Sequence, residues 1–358
     1  MAGKTINPNR RGGTTVNQTA IASELNLSVG TVSKALRNFS EISPHTRARV
    51  VKTAKTLGYR PANSLAGGNT VGEGFVGVLV NSHPLRGSRT GYLEGMSQGC
   101  ARLNVSLVVH FTRENECERI LEPEHQQPAM RDGRLAGLIL IHRWPENVVR
   151  ALSEQMFCVS IIHQVLESQA DMIGPDHNSA MAMLMDKLYR LGHRKIGFLG
   201  RCGSLSWSRA RAGGYTDSLC RLELQSNAEW MLDVPSQSME YGSYCWDEHI
   251  DRVAQQIRRG VRAWVCASDS AGYELCRGLM NRGFSVPRDV SITGFDSNSE
   301  TPTYGCPTLT SVLIPARQMG EAALKLLISR LGQPDQPRHN LKFDCQFVQG
   351  QTIAPPER

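Results

Sequence analysis

From residue 75 onward the chain repeats one device: a short, uninterrupted apolar run followed by a helix-length stretch. The runs are FVGVLV (75–80), SLVVHF (106–111), LAGLILI (135–141), FCVSII (157–162), KIGFLG (195–200), AWVCAS (263–268) and VSITGF (290–295). A strand with one wet face alternates apolar and polar residues, whereas a strand covered on both faces reads as continuously apolar, so these runs predict parallel sheets flanked by helices. Seven such units over about 280 residues suit two lobes better than a single sheet. In open parallel sheets ligands sit outside the carboxyl ends of the strands, so the residues just after each run are the ones to inspect.

Composition narrows the class. The 358 residues are 40% hydrophobic and 20% charged, a globular balance, and no apolar run reaches the roughly 18 residues a membrane span needs. The reading is a soluble, cytoplasmic protein with no membrane partner. Residues 1–14 carry Lys4, Arg10 and Arg11 without an apolar stretch behind them and are expected to be a disordered arm rather than a secretory leader. Ten cysteines occur singly, with no C-x-x-C pair, which argues for reduced structural thiols over zinc or disulfides.

The net charge of +7 is not evenly spread. Residues 1–65 hold ten Lys and Arg against Glu24 and Glu41, which is +8 and leaves −1 for the rest of the chain. A small, strongly basic unit on a nearly neutral body points to a polyanion, with nucleic acid first. Within residues 17–38, Ile21, Ala22 and Leu25 share one helical face and Val32 and Leu36 another. Asn26 suits a left-handed turn between them and Ser28 an N-cap, so two short helices meet at a sharp angle. Ser43-Pro44 opens a third helix, carrying Val50, Val51, Ala54 and Leu57, which Gly58 stops. In a helix-turn-helix the second helix enters the major groove by its first turns. That explains a stretch such as SVGTVSKAL (28–36), which keeps Gly30 and Lys34 on its outer face. There Ser28, Thr31 and Ser33 can donate to phosphates, Val29 can meet a thymine methyl, and Lys34 can reach a guanine edge or a phosphate.

The stretch TVNQTAIASELNLSVGTVSKALRN, then ISPHTRARV and LGYRP, closely resembles the headpiece of the lactose/galactose repressor (LacI/GalR) family. The resemblance continues in LGHRKIGFLG (191–200), RAGGY (211–215), VPRDVSITGFD (286–296) and CPTLTSV (306–312). It implies a dimeric regulator, a repressor in the first instance and an activator or dual regulator in the alternative, whose hold on a palindromic double-stranded operator is set by a small effector, a sugar or derivative. It also implies a two-lobed architecture like that of periplasmic binding proteins, crossed three times by the chain. The expected layout is a headpiece over 15–61, a hinge over 62–73 and an effector and dimerisation domain over 74–358. Its first lobe would take 74–162 and 309–333, and its second 163–305 and 338–354. The resemblance adds Asn17, Asn38, Ser43, Thr46 and Tyr59 to the DNA-facing set. Two departures stand out: Ala20 and Asn26 replace the family's usual aspartate and glycine, and Gly68 falls where a hinge leucine normally wedges into the minor groove. Leu65 is the candidate substitute, because two adjacent glycines each disfavour a helix by about 1 kcal/mol.

For the effector, family position singles out Arg211 and Asp296 as a contacting pair, and a guanidinium facing carboxylates suits a polyol. Asp269 either joins them or caps a helix beginning near Ala271. Trp207 either stacks on a sugar face or packs. Arg89, Tyr92 and His163 follow first-lobe strands, and Arg89 in the cleft would favour an acidic ligand. The literal G-x-G-x-x-G of GEGFVG (72–77) runs into a strand instead of opening a helix, so it is no dinucleotide loop. The methionines of AMAMLMDKL (180–188) read as packing. No catalytic, metal or cofactor motif is present, so no enzyme is expected. A free sugar-binding protein would share the body but not the basic headpiece.

Overall fold

A computed structural model of the chain describes residues 17–36, 41–57, 59, 75–81, 90–165, 167–235, 246–297 and 305–357. The expected arm, Asn38, the hinge with Leu65 and its glycines, and Arg89 lie outside these.

Three helices form the headpiece: α1 (Gln18–Leu25), α2 (Val29–Leu36) and α3 (Pro44–Thr56). Each begins at a side-chain cap. Asn17 Oδ1 accepts from Ala20 N at 3.0 Å, Ser28 Oγ from Thr31 N at 3.0 Å and Ser43 Oγ from Thr46 N at 3.2 Å. These caps satisfy amides that the helices cannot. Asn26 ends α1 in the left-handed region (φ 53°, ψ 44°), the turn that its short polar side chain tolerates. Ile21, Ala22, Val32, Ala35, Val50 and Ala54 close a small core, rimmed by Leu25, Leu27, Leu36, Ile42, Leu57 and Tyr59.

The body opens with β1 (Phe75–Asn81), α4 (Thr90–Leu103) and β2 (Ser106–Thr112). After two 3-10 turns come α5 (Pro128–Arg131), β3 (Leu135–Ile141), α6 (Glu146–Gln155), β4 (Cys158–Ile161) and β5 (Asp171–Pro175). The second half runs α7 (His177–Arg190), β6 (Ile196–Arg201), α8 (Ser206–Arg221), β7 (Met231–Asp233), α9 (Asp247–Arg258), β8 (Ala263–Cys266), α10 (Asp269–Asn281) and β9 (Ser291–Thr293). It finishes with β10 (Ser311–Leu313), α11 (Ala316–Gly332), β11 (Asn340–Phe343) and β12 (Gln346–Val348). One sheet has the order β11-β5-β4-β3-β1-β2 and a second β7-β6-β8-β9, all parallel, while β10 and β12 form an antiparallel pair. Every apolar run singled out in the sequence is one of these strands.

The lobe boundaries differ from the expected ones. β5 pairs with β4, and β11 with β5, so residues 171–175 and 340–343 belong to the first sheet. The first crossing therefore falls after Pro175 instead of at residue 163. Conversely, Gly294 N donates to Thr310 O (2.9 Å) and Asp296 N to Val312 O (3.1 Å), which fastens residues 310–313 to the second sheet. DMIGP and NLKF are too short and too mixed to announce strands, so the sequence places the crossing at the last continuous run. The chain passes between sheets three times, near 175–177, 313–316 and 343–346.

The first lobe is clamped by α4 against α11. A Cβ on Gly95 would come within 1.9 Å of Arg317 O, and one on Gly320 within 2.1 Å of Tyr92 O. Only glycine permits that approach, and it seats Tyr92 at the start of α4. Met181, Leu184, Met185 and Leu188 of α7 are fully buried, so the methionine stripe is core packing. All nine described cysteines are free thiols. No helix among the described residues is long and apolar enough to cross a membrane.

Candidate functional site

On the headpiece the exposed face of α2 carries Val29, Gly30 and Lys34. Val29 is 43% exposed although it is a large apolar residue. A methyl placed on Gly30 would meet nothing nearer than Ser28 Oγ at 3.7 Å. Among the described residues there is room for alanine, so no contact between them accounts for the glycine, whereas an incoming surface pressed against α2 would. Lys34 Nζ is paired with the Glu41 carboxylate from the α2–α3 loop.

The remaining candidates do structural work as well. Ser28 and Thr31 share a hydroxyl bond of 2.8 Å, Ser43 Oγ donates to Thr46 Oγ1 at 2.9 Å, and Gln18 Nε2 donates to Tyr59 Oη at 3.1 Å. Asn17, Ser28 and Ser43 thus mark three helix N-termini, the positive ends that favour phosphate. Ser33 is half-buried on α2.

In the body, Arg211 on α8 is the centre of a second constellation. Its side chain is 3% exposed, and its Nη2 donates to Asp296 Oδ1 and its Nη1 to Ala267 O, each at 2.6 Å. Its Nε donates to His177 Nδ1 at 3.4 Å. The guanidinium carbon lies 3.7 Å from the centre of the Phe295 ring and 4.7 Å from that of Trp207. Trp207 therefore offers ring surface to Arg211. Burial, then the adjacent guanidinium, holds His177 far below an ordinary histidine and hence neutral, which leaves Nδ1 free to accept.

Asp296 is reached through strained backbone: φ is +109° there and +37° at Ser297. The strand ends of the first lobe show the same strain, at His142 (φ 67°) and at β-branched Ile162 (φ 74°). Such conformations cost on the order of 1–3 kcal/mol and gather at ligand clamps. Asp269 does not cap its helix: that is done by Ser268 Oγ, which accepts from Ala271 N at 3.3 Å. Asp269 instead accepts from Ser311 Oγ at 2.6 Å, and a side chain on Gly294 would collide with its carboxylate at 2.1 Å. Burial first, then Asp296, pushes its pKa up to about 7.

The first lobe contributes Tyr92 and His163. Tyr92 is buried, packs edge-on to His142 at 6.3 Å and is raised by burial and then by the nearby Asp296 charge, against Arg211. The charges of Asp296 and Arg211 thus act on the Tyr92 hydroxyl in opposite senses. His163 Nδ1 lies 3.2 Å from Ser206 Oγ at the start of α8, a hydrogen bond between the lobes. Burial, with Arg143 and Arg209 adding repulsion, lowers its pKa to about 4.

Sequence reasoning missed His177, Phe295 and Ser311. His177 follows β5, the strand without an apolar run, and Phe295 was absorbed into the run VSITGF. Phe295 and Ser311, inside the VPRDVSITGFD and CPTLTSV motifs, stood in stretches already singled out, and His177 did not.

A helix-turn-helix with an outward recognition face, joined to two parallel-sheet lobes with polar side chains converging between them, defines a ligand-responsive transcriptional regulator. Family comparison agrees: residues 19–62 match the model described as bacterial regulatory proteins, lacI family, and residues 185–353 that of a periplasmic binding protein-like domain. The chain is 26% identical over 330 residues to the HTH-type transcriptional repressor MelR of Bacillus subtilis (strain 168), covering 89% of this chain and 92% of that protein. In fold it resembles the transcriptional regulator CelR in its cellobiose complex (TM-score 0.63, 19% identity, 94% and 99% of the chains). It also resembles the lac repressor dimer bound to operator and the anti-inducer ONPF (TM-score 0.62, 20% identity, 95% and 100%). The chain thus carries a lacI-family DNA-binding region and a periplasmic binding protein-like region, and it is a DNA-binding transcriptional regulator.

Proposed function

We propose that this regulator is a repressor that binds a palindromic operator as a homodimer and releases or grips it in response to a neutral sugar or sugar derivative. The observation that carries the DNA half is the outer face of α2, where Val29 is exposed, Gly30 has no close contact among the described residues and the Lys34 side chain is nearly half exposed. Val29 and Lys34 read the major groove, Gly30 lets the helix approach it closely, and Thr31, Ser33 and the capped starts at Asn17, Ser28 and Ser43, with Thr46 and Tyr59, meet phosphates. Asn38 and Leu65 complete the surface on the sequence reading.

Arg211 and Asp296 hold the effector. Three of the five N–H groups of Arg211 are engaged, so two remain to donate to ligand hydroxyls, while Asp296, 27% exposed, accepts from them. Tyr92 and His163 face it from the first lobe, with Asp269 and Trp207 beside the pair and Arg89 assigned by sequence position. The Asp296 carboxylate, with the part-ionised Asp269 beside it, already balances the one guanidinium and weighs against an anionic ligand. Ligand closure of the lobes would alter the headpiece spacing only if the effector binds one lobe arrangement better than the other. Such a protein works on the chromosome, in the cytoplasm.

Selection from random duplex DNA by the purified full-length chain tests the reading. An enriched inverted repeat is expected, and enrichment of a lone half-site would overturn the dimeric operator. A thermal-shift panel of neutral and acidic sugars tests the effector: neutral sugars should raise the melting temperature, and stabilisation by acidic ones alone would refute the assignment.

A further inference from the structure

Glu41 is one of only two acidic residues in the first 65, amid ten Lys and Arg. Its carboxylate sits on the ammonium of Lys34, the one long cation on the described outer face of α2. The pairing is built by the loop. Arg47 Nη2 reaches back from α3 to donate to Ile42 O at 3.0 Å, and Ser43 caps α3 immediately after. Glu41 is thus carried beside a backbone tied at the next two residues, which limits where its carboxylate can go. The pair still stands in water, with 46% of the Lys34 and 64% of the Glu41 side chain exposed, so it can be exchanged.

We propose that Glu41 is a positioning residue that determines specificity: it competes with DNA for Lys34 and so withholds that cation from non-cognate sequence. The inference rests on reading α2 as the recognition helix. A site without guanine at that position offers Lys34 only a phosphate oxygen, which replaces one carboxylate by another single anion and leaves Glu41 facing the polyanion. A correctly placed guanine offers N7 and O6 together in the major groove. Lys34 leaves Glu41 where two acceptors replace one, and stays where the exchange is even.

The test is a double-mutant cycle on the full-length protein with Glu41→Gln, Lys34→Ala and the double variant. Fluorescence anisotropy would follow a random-sequence duplex and the most enriched duplex of the selection over a range of salt. Glu41→Gln should tighten the random duplex by about 1.5- to fivefold, the range of an exposed pair, and the enriched duplex by less, so that the specificity ratio falls. Its salt dependence on random DNA should steepen by about 0.9 in the log–log slope, one further phosphate neutralised. In the Lys34→Ala background the Glu41 substitution should change neither quantity. An equal gain in that background would mean that Glu41 simply repels phosphate, and an unchanged ratio and slope in the single variant would mean that the pair is inert; either overturns the proposal. Lys34→Ala without effect on any duplex would instead overturn the recognition-helix reading itself. Identical melting of all four proteins excludes a folding artefact.

Discussion

The headpiece and the second lobe each carry one prominent cation–carboxylate pair, and the two pairs are opposites. Lys34–Glu41 stands half in water on a loop and a short helix, while Arg211–Asp296 has a guanidinium 3% exposed, a backbone carbonyl and a neutral histidine as further partners, and an aromatic ring beneath it. An exposed pair contributes little and can be traded for another anion, whereas a buried one is costly to break because the surviving charge is left without solvent. The comparison teaches that similar chemistry serves exchange in one region and preorganisation in the other.

The largest effect should come from breaking the buried pair. Asp296→Ala leaves the Arg211 guanidinium buried beside Phe295 and should cost about 3–5 kcal/mol in denaturant unfolding of the body; a loss no larger than that of Glu41→Ala would erase the contrast. Next comes acid sensitivity. His163 has a native pKa near 4 against 6.5 unperturbed, so the unfolded chain binds the extra proton. Its contribution is present above pH 6.5 and lost as pH falls toward 4, with a slope of up to about 1.4 kcal/mol per unit. Asp269, raised to about 7, has the opposite sign: its contribution is present at low pH and lost as pH rises through 7. Unfolding followed by circular dichroism across pH 4–8 should show His163→Gln flatter on the acid side and Asp269→Asn flatter near neutrality.

On the exposed side, Lys34→Ala should lose about 1–3 kcal/mol on the enriched duplex if it reads a base; a uniform loss on all sequences would make it a phosphate contact. The smallest expected effect is the most diagnostic. Gly30→Ala should stabilise the headpiece by about 0.5–1 kcal/mol, since the fold has room for the methyl, yet weaken operator binding. A tighter melt together with unchanged DNA affinity would show that the α2 face does not touch DNA at that point.

The headpiece was legible almost to the residue because its signals are local: Asn17, Ser28 and Ser43 cap the helices they precede, Pro44 starts α3, and Asn26 takes the left-handed turn. What its sequence did not disclose was the Lys34–Glu41 pair, which depends on how α3 ties residues 42 and 43 next to Glu41. In the body, β1 and β3 coincide with their apolar runs because burial on both faces leaves a continuous signature. β5 and β11 carry none: DMIGP is short and mixed, and NLKF is an edge strand exposed along most of its length. With them went the true crossing points, and with β5 went His177.

The sequence by itself determined the strand–helix alternation, the segregation of charge and the capped helix-turn-helix, because burial periodicity, net charge and capping act over a few residues and are written in residue types. It also put Arg211 and Asp296 forward through their motifs. Tertiary structure alone decided that these two meet at 2.6 Å over a separation of 85 residues, that His177 and Ser311 join them, that Asp269 is pushed toward neutrality and that Lys34 is held by Glu41. Those facts follow from distances and desolvation created only when strands far apart in the chain are laid edge to edge, and no local pattern encodes them.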